Sequence, residues 1–180
     1  MRIIAGKLKN LQLDTVNTIS TRPMMSRVKE SLFSSIQSQI TEAKVLDLFA
    51  GSGSLGIECL SRGASSCKFV ELSNETATIL IKNIGRAEKK PIVYVEDAYK
   101  WVNKQKECFD IIFVDPPFGH SDLIVTQLLS DLYNNLYNKG IVIVHRENTS
   151  NIINFVHNLE LIKKRKFGQS IIYIYKKDEK

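Results

Sequence analysis

The four residues Asp115-Pro116-Pro117-Phe118 close the apolar run Phe109–Val114. Two successive prolines remove two backbone donors and stiffen the chain, so the carbonyls of this turn are left as outward-facing acceptors. A planar amino group is a poor nucleophile because its lone pair is delocalised. The Asp115 carboxylate and the Pro116 carbonyl can each accept one of its N–H groups, which aims the lone pair and stabilises the positive charge that develops during attack. Pro117 holds the turn, and Phe118 offers a flat face for an unstacked base. Transfer of a methyl group to such a nitrogen is a direct in-line displacement with no covalent enzyme intermediate. Asp115 accepts the hydrogen bond and then the proton. Methylation of a pyrimidine carbon would instead require a nucleophilic thiol, and none of Cys59, Cys67 and Cys108 follows a proline in a comparable turn.

A donor for that methyl group is suggested upstream. The stretch Asp47-Leu48-Phe49-Ala50-Gly51-Ser52-Gly53-Ser54-Leu55-Gly56 ends one apolar run with a glycine-rich turn, and Glu71 closes the next run 18 residues after Gly53. Gly51-x-Gly53-x-x-Gly56 also matches the dinucleotide fingerprint, so the glycines alone do not choose between ligands. The acids do more. Asp47 stands where a negative charge repels a pyrophosphate and suits an ammonium group, Glu71 can accept from both ribose hydroxyls, and Asp97 can accept from an adenine amino group. S-adenosylmethionine has those three parts and no phosphate, and Phe49, Leu72 and Ala98 beside the acids complete the expected cofactor set. For any one acid alone, a helix-capping role is the simpler reading.

These residues need a scaffold that delivers strand ends to one place. From Met25 onward Val28, Leu32, Phe33, Ile36 and Ile40 recur at helical spacing. A strand–helix rhythm follows: strands at Lys44–Phe49, Lys68–Leu72, Ile92–Val95, Phe109–Val114 and Ile141–Val144. Helices are expected through Leu60, from an N-cap at Ser73, at Tyr99–Lys104, at Leu123–Leu136 and near Ile152–Leu159, with a turn at Lys139-Gly140. Glu160–Lys166 and Ser170–Tyr175 form a hairpin about Phe167-Gly168-Gln169. The pattern is α/β, a doubly wound, Rossmann-like, mainly parallel sheet with an antiparallel C-terminal strand, in which ligands bind at the carboxyl ends of the strands. Residues 1–20 read as a small β-hairpin extension, and residues 21–180 as the main domain.

At 180 residues, 43% hydrophobic and 24% charged, the chain suits one soluble domain. It shows no apolar stretch long enough for a membrane span and no signal-peptide pattern, so a cytoplasmic location is expected. The cysteines and the three histidines have no metal-ligand spacing, and no metal is expected. The net charge of +6 is concentrated. Arg2, Lys7, Lys9, Arg22, Arg27 and Lys29 face only Asp14 and Glu30 in the first 30 residues, and Lys163-Lys164-Arg165-Lys166 lies near the other end. Solvated faces and a grip on a phosphate backbone explain these clusters equally well. On the second reading Arg2, Lys7, Arg22 and Arg27 contact substrate.

Over nearly its whole length the chain resembles the RsmD-type bacterial methyltransferases, which modify a guanine N2 of 16S ribosomal RNA. The resemblance rests on Met1-Arg2-Ile3-Ile4-Ala5-Gly6-Lys7, Thr21-Arg22-Pro23, Arg27-Val28-Lys29-Glu30-Ser31-Leu32-Phe33, Val45 through Gly53, Leu60-Ser61-Arg62-Gly63-Ala64, Phe69-Val70-Glu71 and Asp110 through Pro117. It implies the seven-stranded class I methyltransferase fold, cofactor contacts by Asp47, Gly51, Glu71 and Asp97, and catalysis at the Asp115 turn. It also implies 16S rRNA in a 30S subunit or assembly intermediate as the substrate of a monomer, with Arg22 on a substrate phosphate or the cofactor carboxylate. Competing readings are a DNA adenine or cytosine amino-methyltransferase, a glutamine methyltransferase, a nucleotide-binding oxidoreductase and an inactive RNA-binding module.

Overall fold

The computed structural model describes residues 1–15, 24–90, 92–150, 156 and 158–178. Its helices are α1 (Ser26–Ile40), α2 (Ser54–Ser61), α3 (Asn74–Arg86), α4 (Ala98–Lys104) and α5 (Asp122–Asp131). Its strands are β1 (Lys44–Asp47), β2 (Ser66–Glu71), β3 (Val93–Val95), β4 (Phe109–Val114), β5 (Leu136–Glu147), β6 (Leu159–Phe167) and β7 (Ser170–Lys177). They form one seven-stranded sheet in the order β3-β2-β1-β4-β5-β7-β6. The β1–β2, β1–β4, β2–β3 and β4–β5 pairs are parallel, and β7 is antiparallel to both β5 and β6.

Alternation along each buried strand sends side chains to two cores. Val45, Phe69, Ile111, Phe113, Ile141 and Ile174 pack with α1, α2 and α3. Leu46, Val70, Ile112, Val114, Val142 and Tyr173 pack with α4 and α5. Helices thus cover both faces, which is why the parallel strands read as unbroken apolar runs rather than alternating ones. The chain reverses direction across the sheet between β1 and β4, which places the switch point at the ends marked by Asp47 and Asp115. Among the described residues no helix is long and apolar enough to cross a membrane.

Several boundaries differ from the sequence reading. β1 stops at Asp47, so Phe49 belongs to the turn. The helix expected through Leu136 ends at Asp131, continues as a 3-10 turn over Leu132–Asn135, and gives Leu136 to β5. Leu136 pairs with Phe109 and Ile141 with Ile111, so the expected Lys139-Gly140 turn is an excursion inside β5. Its positive φ of 68° at Lys139 and the tight space at Gly140 mark the bend. The helix expected near Ile152–Leu159 falls mostly outside the described residues, and Leu159 itself opens β6.

At the N-terminus the described residues pair antiparallel about the bridge Arg2 to Gln12, with the Ile3 N–H on the Leu11 carbonyl (3.0 Å) and the Leu13 N–H on the Met1 carbonyl (2.7 Å). Backbone donors between the two arms go to α2. The fully buried Glu58 of α2 accepts from the N–H groups of Ile4 (2.8 Å) and Ala5 (3.0 Å). The Ser61 hydroxyl accepts from the Leu8 N–H at 2.9 Å and donates to the Ala5 carbonyl at 2.5 Å. Glu58 also pairs with Lys29 (3.0 Å) and Arg62 (2.8 Å). Burial pushes its carboxyl up, but these cations and the Ile4 N–H outweigh burial and hold it below its ordinary value. Ile3 and Leu13 lie in the same core as α1, α2 and α3. The expected boundary between residues 20 and 21 lies outside the described residues.

Gly6 makes this docking sterically feasible. Its φ is +86°, and a Cβ there would lie 2.0 Å from the Ser61 carbonyl oxygen. Gly6→Ala is therefore expected to lower stability by about 2–3 kcal/mol and to release the segment. Hydrogen exchange at Ile3 and Leu13 should accelerate at least about tenfold; unchanged exchange would contradict this packing.

Candidate active site

Where β1, β2 and β4 end and the chain leaves β3, the described residues enclose a cavity of about 370 Å³. Asp47, at the end of β1, is 1% exposed and accepts from the Gly56 N–H of α2 at 3.0 Å. Burial, with the negative charges of Asp115 and Glu71, raises its carboxyl from 3.8 to about 7 against the pull of the Gly56 N–H and Lys29. Glu71, at the end of β2, accepts from the N–H groups of Gly51 (2.8 Å) and Ser73 (2.9 Å), one on each oxygen. Its position is thus fixed to the glycine turn. Asp97 accepts from the Lys100 N–H at 3.0 Å and so caps α4 while still lining the cavity.

Phe49, Gly51, Leu72 and Ala98 line the same cavity, with Leu72 at 68% exposure on its lip. Gly53 does not line it. Its φ of +82° and the 2.5 Å that would separate a Cβ from Leu80 show a glycine needed for packing of the turn against α3. Asp115, Pro116, Pro117 and Phe118 form the opposite wall. Arg2, Lys7 and Arg27 are exposed and none lines the cavity, while Arg22 lies outside the described residues. Cys59 and Cys67 are buried, and burial raises both thiols well above their ordinary value.

Two residues that no local sequence pattern marks stand behind Asp115. The His145 Nδ1 lies 2.8 Å from Asp115 Oδ1, and its ring meets Phe118 edge-on with centroids 5.5 Å apart. The next residue, Arg146, is buried and donates to the carbonyls of Pro117 (3.3 Å), Phe118 (3.5 Å) and His120, and to Asp122 Oδ1 at 3.4 Å. The available signal was register. Ile111–Val114 and Ile141–Val144 are apolar runs each followed by a polar residue, and pairing Val114 with Val144 sets Asp115 beside His145. The His120 ring also joins Phe49 and Tyr99 at the cavity margin, with the Tyr99 hydroxyl 2.8 Å from its Nδ1.

The family model described as Conserved hypothetical protein 95 matches residues 1–176. The chain belongs to that family. The Bacillus subtilis protein YlbH is 35% identical over 182 residues, covering 98% of this chain and 99% of its own. Ribosomal RNA small subunit methyltransferase D of Escherichia coli K12 is 30% identical over 179 residues, covering 99% and 90%. The solved structure of yhhF from Escherichia coli superposes with a TM-score of 0.88 at 30% identity, over 100% of this chain and 99% of that one. Membership of the Conserved hypothetical protein 95 family agrees with the resemblance to RsmD-type methyltransferases, and the sheet order is that of a class I methyltransferase fold.

Two outcomes test this geometry. Asp47 has a folded value above its unfolded one, so the stability it contributes is complete below about pH 4 and is lost as pH rises through about 7. Asp47→Asn, which mimics the protonated acid, should therefore gain stability over the wild type as pH rises. The advantage should level off above pH 7 at on the order of 3 kcal/mol, measured by urea unfolding from pH 4 to pH 8. Arg146→Met keeps bulk and removes the donors to the Asp-Pro-Pro-Phe loop. It is expected to lower stability by about 2–4 kcal/mol and to speed amide exchange at His120, whose N–H bonds to the Pro117 carbonyl.

Proposed function

We propose that the protein transfers the methyl group of S-adenosylmethionine to the exocyclic N2 of a guanine in 16S rRNA. The substrate is a 30S subunit or assembly intermediate in the cytoplasm, and the enzyme works as a monomer. The observation that carries the reading is one cavity with two chemically different walls: carboxylates at the ends of β1 and β2 and the loop after β3, and the Asp115 turn opposite. The family membership and the E. coli relative's name support the substrate class.

The residues fit a cationic cofactor without phosphate. Among the described residues no lysine or arginine lines the cavity. The Gly56 N–H at the start of α2, a group that a pyrophosphate would use in a dinucleotide enzyme, is taken by Asp47. Both features favour S-adenosylmethionine over a nicotinamide dinucleotide. Asp47 would face the ammonium, Glu71 the ribose hydroxyls and Asp97 the adenine amino group, with Phe49, Leu72 and Ala98 as apolar surroundings. Bound S-adenosylmethionine supplies an electrophilic methyl carbon, whose bond to sulfur breaks as the amino nitrogen attacks.

The chain's own contribution is orientation. No described group donates to the Pro116 carbonyl or to Asp115 Oδ2, whereas the Pro117 and Phe118 carbonyls are taken by Arg146. Asp115 Oδ2 and the Pro116 carbonyl are thus the acceptors that remain for the two N–H groups of the target nitrogen. Asp115 takes the proton that nitrogen releases. Phe118 provides the stacking face.

Labelled S-adenosylmethionine incubated with small subunits lacking the modification tests this reading. Methyl should enter 16S rRNA at a guanine identified by mass spectrometry. Asp115→Asn should reduce the rate about 10²–10³-fold while cofactor affinity, measured by calorimetry, stays within about threefold. Label found only in DNA or protein would overturn the substrate assignment, and an Asp115→Asn enzyme of full activity would overturn the mechanism.

A further inference from the structure

We infer that His145 is a positioning residue for methyl transfer, holding the Asp115 carboxylate so that only one of its oxygens is offered to the substrate amino group. The inference rests on the methyltransferase reading above. His145 is 3% exposed, and its Nδ1 lies 2.8 Å from Asp115 Oδ1. A carboxylate has no hydrogen to give, so the imidazole hydrogen sits on Nδ1 and His145 donates. The other ring nitrogen, Nε2, is buried with no hydrogen-bond partner. A second proton placed there would find no acceptor among the described residues. Among the described residues His145 therefore has one polar contact, and that contact is Asp115.

The site needs such a contact because Asp115 is pushed from the other side. The negative charges of Asp115 and Asp47 repel, and that repulsion contributes to the raised Asp47 carboxyl. The half-exposed Asp115 side chain has no other hydrogen-bond donor among the described residues to hold it. The Nδ1–H donor fixes Oδ1 and leaves Oδ2 as the acceptor. The same imidazole meets the Phe118 ring at an interplanar angle of 63°. One side chain thereby sets both the carboxylate and the stacking face, and so the spacing between the amino group and its ring. His145 does not line the cavity. Its effect on the reaction passes through Asp115 and Phe118.

The test compares wild type, His145→Asn, His145→Leu, Asp115→Asn and the double variant His145→Leu with Asp115→Asn in steady-state methyl transfer to unmodified small subunits. Asparagine can place an amide N–H near the position of Nδ1–H, and leucine cannot. His145→Leu should lower kcat about 10–100-fold, with KM for S-adenosylmethionine and for subunits within about twofold. His145→Asn should recover to within about threefold of wild type. In the Asp115→Asn background the leucine substitution should add nothing further, since its effect passes through the carboxylate. A purely structural role predicts instead equal losses in both His145 variants and additive loss in the double variant; either result overturns the inference. Imidazole ¹⁵N spectra give an independent readout: a hydrogen on Nε2 rather than Nδ1 also overturns it. A wild-type protein that labels no RNA defeats the methyltransferase reading itself, whereas an active wild type matched by His145→Leu defeats only this inference.

Discussion

Parallel pairing of β1, β4 and β5 holds the site together more directly than any single contact within it. Asp47 lies opposite Phe113, and Val114 lies opposite Val144, so the residues that follow the buried spans arrive at one edge of the sheet. Inside the sheet, both faces are covered by helices and no polar side chain can be accommodated cheaply. At the carboxyl edge that restriction ends. A one-residue slip of β5 against β4 would exchange its two core faces, exposing Val142 and Val144 to the wrong layer, and would also take His145 away from Asp115. Hydrophobic register and site geometry are the same constraint seen from two sides.

The N-terminal segment solves a different problem. Glu58 carries a charge into the core, which is tolerable only because two cations and two backbone N–H groups surround it. That arrangement uses up donors an extension would otherwise present to solvent or to another strand. Asn83 of α3 adds a second tie, accepting from the Asp14 N–H and donating to the carbonyls of Asp14 and Ser52, each at 2.9 Å. Since Ser52 belongs to the glycine turn, the segment and the cavity floor share one amide side chain. Met1 and Thr15 consequently line the cavity, although no periodicity would have placed them there.

Much of this was legible in the sequence, and the reasons are specific. Val28 through Ile40, Ser73 as a cap, and the apolar run Phe109–Val114 announced themselves because local propensity and tertiary burial agree there. Leu136 misled, since its apolar spacing continued the stripe of α5 while the chain had already turned into β5. Asp47, Glu71, Asp97 and Asp115 could be placed at strand ends from their neighbours alone. His145 and Arg146 could not, because their significance depends on which strand lies beside β4. Gly53 shows the converse limit: a glycine in a ligand-binding pattern can be there for Leu80.

Arg146 ties the loop after Asp115 to β5, and a second chain of bonds runs from Asp122 through Ser150 (2.6 Å) to the Tyr173 hydroxyl (3.0 Å) on β7. The wall that carries Phe118 is therefore part of the sheet's mechanical frame rather than a lid upon it. In the proposed reaction this divides the conformational work unequally. On that proposal the protein would present a fixed seat, and unstacking of the target base would have to be accomplished in the RNA. Selectivity would then follow from how readily a given nucleotide leaves its neighbours, with softer regions of ribosomal RNA favoured over rigid helices.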